Sequence, residues 1–89
     1  MKIRVEDVLT IKGEKYTVID TILYEGKDYI LTNKVENDEP SKTFVAYEVV
    51  DNGVFIVEDK NILDRILPIF SNNVNKKIND LKTEEQFNI

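Results

Sequence analysis

The stretch Lys42-Thr-Phe-Val-Ala-Tyr-Glu-Val-Val-Asp-Asn-Gly-Val-Phe-Ile-Val-Glu-Asp-Lys-Asn-Ile-Leu-Asp-Arg-Ile-Leu-Pro-Ile-Phe70 changes period partway through, and that change decides the fold class. Residues 42–50 and 54–58 are dense in β-branched and aromatic side chains and read as two strands. Between them, Asp51-Asn52-Gly53 supplies a hairpin turn, because Asn and Gly both tolerate positive φ. After Glu58 the spacing becomes helical: Ile62, Leu63, Ile66, Leu67, Phe70, Val74, Ile78 and Leu81 follow one another at intervals of one, three or four. Asp59 or Asn61 can cap that helix. Pro68 lies inside the stripe and predicts a kink, or a split into two helices, near Leu67.

Toward the N-terminus the β pattern continues. Residues 28–35, 15–24 and 7–12 read as three further strands, joined by turns at Glu25-Gly26-Lys27 and at Gly13-Glu14. Glu36-Asn37-Asp38-Glu39-Pro40-Ser41 is the longest polar stretch and reads as an exposed loop. The expected fold class is therefore α+β: about five short antiparallel strands in a meander, then a C-terminal amphipathic helix. The expected single domain covers 1–82, with a frayed tail at 83–89 in which Phe87 and Ile89 are apolar enough to dock.

Several of these strands are apolar on both faces. On the second, Tyr16, Val18 and Ile22 alternate with Ile19 and Leu23; on the fourth, Val45, Tyr47 and Val49 oppose Phe44, Ala46 and Val50. A sheet with one wet face does not look like this. Three arrangements account for it: a curled, barrel-like sheet, a helix on one face with a partner on the other, or a homodimer.

Composition closes off much chemistry. The 89 residues include no Cys and no His. That removes disulfides, thiolate nucleophiles, the commonest metal ligand and the commonest general base. The net charge is −5, all of it within residues 1–58, where 7 basic side chains meet 12 acidic ones. Such a domain repels phosphate backbones, so no direct nucleic-acid partner is expected. There is no apolar leader-like start and no run of transmembrane length, so the expected setting is cytoplasmic, with no membrane partner.

The candidate sites are correspondingly few. The acidic loop lacks the oxygen spacing and the glycine of a calcium loop, so no metal and no cofactor is expected. Asp20 interrupts an apolar strand and reads as an edge or bulge position ahead of a functional carboxylate. Lys76, Lys77 and Lys82 form the polar face of the helical tail. Tyr16, Tyr24, Tyr29 and Tyr47 read first as half-buried strand residues; a binding surface is the sharper alternative.

Tyr16-Thr-Val-Ile-Asp-Thr-Ile-Leu-Tyr-Glu-Gly-Lys-Asp-Tyr-Ile-Leu31 resembles the core hairpin of the YrzB-like family, small acidic bacterial proteins of unknown function. Val54-Phe-Ile-Val-Glu-Asp-Lys-Asn-Ile-Leu-Asp-Arg-Ile-Leu-Pro-Ile-Phe70 is similar to that family's end, a short strand leading through acidic residues into an amphipathic helix. The resemblance spans roughly residues 7–75 and rests on apolar pattern and turns. It implies the fold and a bacterial cytoplasmic setting, and it brings no catalytic residues. This chain departs from it in being less acidic and in carrying Pro68 where the helix usually continues.

The functional expectation is a non-enzymatic protein–protein interaction or regulatory module. Its partner surface is expected at Tyr24, Tyr29 and Tyr47 with Glu36, Asp38 and Glu39 beside them. The alternatives are an acidic inhibitor from a phage or mobile element that occupies a nucleic-acid enzyme, a small-molecule binder anchored on Asp20 or a Tyr, and a structural homodimer.

Overall fold

A computed structural model describes residues 2–87, with side chains over residues 2–76. Five strands, β1 (Val8–Ile11), β2 (Glu14–Tyr24), β3 (Lys27–Glu36), β4 (Glu39–Val50) and β5 (Gly53–Ile56), precede one helix, α1 (Lys60–Phe87). The strands pair in sequence order, each antiparallel to the next. The expected α+β meander is what forms.

The turns are tighter than the sequence suggests. Lys12-Gly13, Glu25-Gly26 and Asn37-Asp38 each place both central residues at positive φ. That backbone matches the right-handed twist of the flanking strands. The first turn thus sits one residue earlier than Gly13-Glu14. The polar stretch at 36–41 is not an open loop: β3 and β4 run on until Glu36 faces Glu39, and Pro40 sits within β4 opposite Val35. At the last hairpin, Val50 faces Gly53 across Asp51-Asn52, and neither Asn52 nor Gly53 has positive φ.

The sheet curls into a half-barrel, and each of its faces carries a buried core. On the inner face, Val18, Ile30 and Tyr47 form a core with Ile3, Leu9, Ile11, Val45, Val49 and Val54 against it. Side chains of β1 and β5 meet there, although the two strands do not pair. On the outer face, Tyr29 and Ala46 pack against Ile66 and Phe70 of α1, with Ile22, Tyr24, Leu31, Val57, Ile62 and Leu63 around them. The curled sheet expected from the sequence accounts for one face, and the helix packs on the other. Burying a side chain such as Ile66 or Phe70 contributes about 1.5–3 kcal/mol.

Asp59 caps α1 as expected. Its Oδ1 accepts the Asn61 N–H at 2.8 Å, and its carbonyl accepts the Leu63 N–H at 3.0 Å. The helix runs through Pro68 as a single element, so the split into two helices does not occur. Pro68 and Asp64 are both exposed. Pro68 has no N–H to offer the Asp64 carbonyl, so one bond of the helical ladder is absent there. The side chains of Lys77, Ile78, Leu81 and Lys82, and the tail expected at 83–89, lie outside the described side chains.

Candidate functional site

Two breaks in strand register shape the outer face. In β2, Val18 faces Thr32 and Asp20 faces Leu31, which leaves Ile19 as an extra residue. A one-residue bulge reverses which side chains face which way. Tyr16 and Val18 consequently belong to the inner face, whereas Ile22 changes sides and packs toward α1. This corrects the strict alternation expected for β2. Asp20 does lie at a bulge. It is buried, and its Oδ2 accepts a hydrogen bond from Asn73 Nδ2 at 2.9 Å. The carboxylate thus anchors the sheet to the helix.

In β3–β4, Asn33 faces Phe44 but Val35 faces Pro40, so Ser41, Lys42 and Thr43 bow away from Lys34. Buried Asn33 braces the bow: its Nδ2 donates to the carbonyls of Ser41 (2.7 Å) and Thr43 (3.1 Å). Next to it, Thr32 Oγ1 donates to the Val45 carbonyl at 2.8 Å. Buried polar side chains of this kind hold a backbone irregularity in one geometry.

Between the two irregularities, α1 and the sheet leave an open cleft of about 350 Å³. Ile19, Leu31 and Phe44 line it from the strands, and Leu67, Phe70 and Val74 from the helix. Phe70 is buried at its floor. Phe44 is 58% exposed and Leu67 43% exposed. The surface is apolar and holds no charged side chain among its lining residues.

Elsewhere the polar groups form a surface cluster. Lys34 Nζ lies 3.0 Å from Glu14 Oε2 and 3.7 Å from Glu36 Oε1, and the Tyr16 hydroxyl donates to the same Glu14 oxygen at 3.3 Å. Hydrogen bonding and attraction to Lys34 hold the Glu14 carboxyl below its usual value, and Glu14 in turn raises Lys34. Exposed pairs of this kind add little stability. Tyr16 stacks edge-on against Tyr47, with ring centroids 5.8 Å apart. Burial, with the Tyr16 hydroxyl nearby, pushes the Tyr47 phenol up to about 12. At neutral pH Tyr47 keeps its proton and serves as a packing residue.

The six residues expected to share a partner surface do not share one. Tyr29 and Tyr47 are 3% and 5% exposed, and they belong to opposite faces of the sheet. Tyr24 is half-buried at the β2–β3 turn, where Arg65 Nη1 donates to its hydroxyl at 3.4 Å. Glu36, Asp38 and Glu39 are exposed at the other end of β3. At about 3.3 Å per residue, that end lies roughly 30 Å away. Among the described residues, no group of three or more Asp or Glu could hold a metal ion. Likewise, no helix among them is long and apolar enough to cross a membrane.

The cleft residues were the ones missed. Leu67 belongs to the helical stripe and Phe44 to a two-faced strand, and the pattern alone does not distinguish them from their buried neighbours. Nothing in the local sequence signals the bow at Ser41–Thr43 that sets Phe44 apart. Comparison with protein-family models, with curated proteins and with solved structures returns no match to this chain.

Proposed function

We propose that this chain is a non-enzymatic interaction module that binds an apolar segment of another protein in the cleft between α1 and the sheet. The observation carrying this reading is the pair of exposed apolar side chains, Phe44 and Leu67, on opposite walls of a cleft floored by Phe70. Large apolar groups gathered around one concavity are characteristic of docking sites. The absence of His and Cys from the sequence favours binding over catalysis. The net charge of −5 favours a partner that is basic around its apolar segment.

This surface replaces the one expected at Tyr24, Tyr29 and Tyr47; the class of function is kept. The YrzB-like resemblance and its bacterial cytoplasmic setting belong to the same proposal. So does a bend of α1 at Pro68, the residue after Leu67, which would set the angle of that wall.

The test places a photo-crosslinking phenylalanine analogue at position 44 in the full chain, within bacterial cells. A single discrete partner adduct is expected, and it should vanish when Leu67→Ser is added. An adduct to a second copy of the chain would replace this reading with the homodimer. Crosslinking that is diffuse or indifferent to Leu67→Ser would end it.

A further inference from the structure

We infer that the open seam between β1 and β5 accepts an extended strand from a basic partner, which completes the half-barrel. The inference begins with strand direction. In a five-strand meander every neighbour is antiparallel, so β1 and β5 run the same way. Closing the barrel by pairing these two directly would create its sole parallel pair, and parallel pairing is slightly less stable per residue. One additional strand, antiparallel to both, closes the barrel with the same alternation throughout.

The local structure fits such an occupant. Each of the two edge strands has a sheet neighbour on one side only. Their other edges present backbone N–H and C=O groups to an added chain. An open groove of about 490 Å³ lies between them, lined by Val8, Leu9, Thr10, Ile11, Gly53 and Val54, with Lys12 at its end. Leu9, Ile11 and Val54 already pack on the inner core. Alternate side chains of an inserted strand would extend that core, which asks for apolar residues at every second position. At the rim of the sheet, Phe55 and Ile56 of β5 are 58% and 54% exposed.

Charge selects the partner. Glu6 and Asp7 precede β1, Asp51 precedes β5, and Glu58 and Asp59 follow it; all are exposed. Against these five carboxylates stand three cations, Arg4 and Lys12 at the ends of β1 and Lys60 after Asp59, so the rim of the seam stays net acidic. The remaining alternate positions of the inserted strand therefore favour Lys or Arg. A second copy of this chain, itself at −5, would bring like charges to the same place. The seam is separate from the helix–sheet cleft and does not depend on it.

The experiment titrates the full, isotopically labelled chain with three short synthetic peptides. One alternates valine with lysine, one replaces the lysines with glutamate, and one repeats the lysine peptide with N-methylated backbone amides. The lysine peptide should shift the amide signals of Val8–Ile11 and Gly53–Ile56 and slow their hydrogen exchange. The glutamate peptide should bind about tenfold more weakly, and reversing two exposed charges (Asp51→Lys with Glu58→Lys) should weaken the lysine peptide about threefold. N-methylation should abolish the effect, because it removes the ladder hydrogen bonds.

Equal binding of the N-methylated peptide, or changes confined to the Phe44–Leu67 cleft, would overturn the inference. So would the absence of any shift. Exchange protection, in the free chain, of those β1 and β5 amides that do not bond to β2 or β4 would also overturn it, since the outward edges would then already be paired, with each other or with a second copy. Crosslinking at position 44 reports on the cleft alone, so the two proposals fail independently.

Discussion

The two faces of the sheet are buried by different means. The inner face is covered by the sheet itself: Val18, Ile30 and Tyr47 are enclosed because β1 and β5 curl toward each other. The outer face depends on a separate element, and α1 covers only part of it. Where the helix lies close, Tyr29 and Ala46 are buried; beyond Leu67, Phe44 stands open. Curling is a collective property of all five strands, whereas a helix can lift away by itself. The outer face, where the cleft also lies, is therefore expected to come apart first.

Truncating the two cores tests this contrast most strongly. Ile66→Ala on the outer face and Ile30→Ala on the inner face should each cost about 2–5 kcal/mol in denaturant unfolding. They should differ in how unfolding proceeds. Ile66→Ala should lose helical circular dichroism ahead of the strand signal, and Ile30→Ala should lose both together. Coincident transitions in both variants would show that the faces are one cooperative unit.

The next effect concerns the bow that sets Phe44 apart. Asn33→Ala removes the donor shared by the Ser41 and Thr43 carbonyls. A loss of about 1–3 kcal/mol is expected, with amide shifts centred on residues 41–44.

The inner face should respond to alkali. Tyr47 titrates near 10 when unfolded and near 12 when folded. Between these values the unfolded chain releases a proton that the folded chain keeps. Its stability contribution is thus intact below pH 10 and is lost as pH climbs through about 12. Tyr47→Phe should flatten the decline seen in thermal melts across that window.

The smallest effect on stability is expected in the cleft. Phe44→Ser and Leu67→Ser should each change it by no more than about 0.5 kcal/mol, because both side chains are already exposed. Loss of the position-44 crosslink with an unchanged melt would separate the binding face from the structural ones.

The meander and the helix were legible because period, turn residues and an Asp cap all agree from residue 14 to residue 70. The surface was less legible. Strict alternation puts Ile22 on the wrong face, because a single bulge at Ile19 reverses every side chain beyond it; Asp20 marks the place. Residue type alone allows Tyr29 and Tyr47 a place on the surface, yet each is enclosed by chain from distant positions: Tyr29 by Ile66 and Phe70, Tyr47 by Tyr16. The 36–41 stretch looked like a loop from its polarity, but Asn37 and Asp38 both adopt positive φ and close it into a tight hairpin. Local sequence reports period and turn chemistry; which of two apolar faces stays open depends on how far a helix reaches across the sheet.

The bond from Asn73 to Asp20 spans 53 residues, and the one from Arg65 to Tyr24 spans 41. Every strand pairing, by contrast, joins neighbours along the chain. During synthesis the hairpins can assemble in order as they emerge, while the residues that cover Tyr29 and Ala46 are still to be made. A nascent chain therefore passes through a stage with a formed sheet and a bare outer face. Through that interval the apolar outer face has no cover, and the cover is complete only once the chain as far as Asn73 has been made.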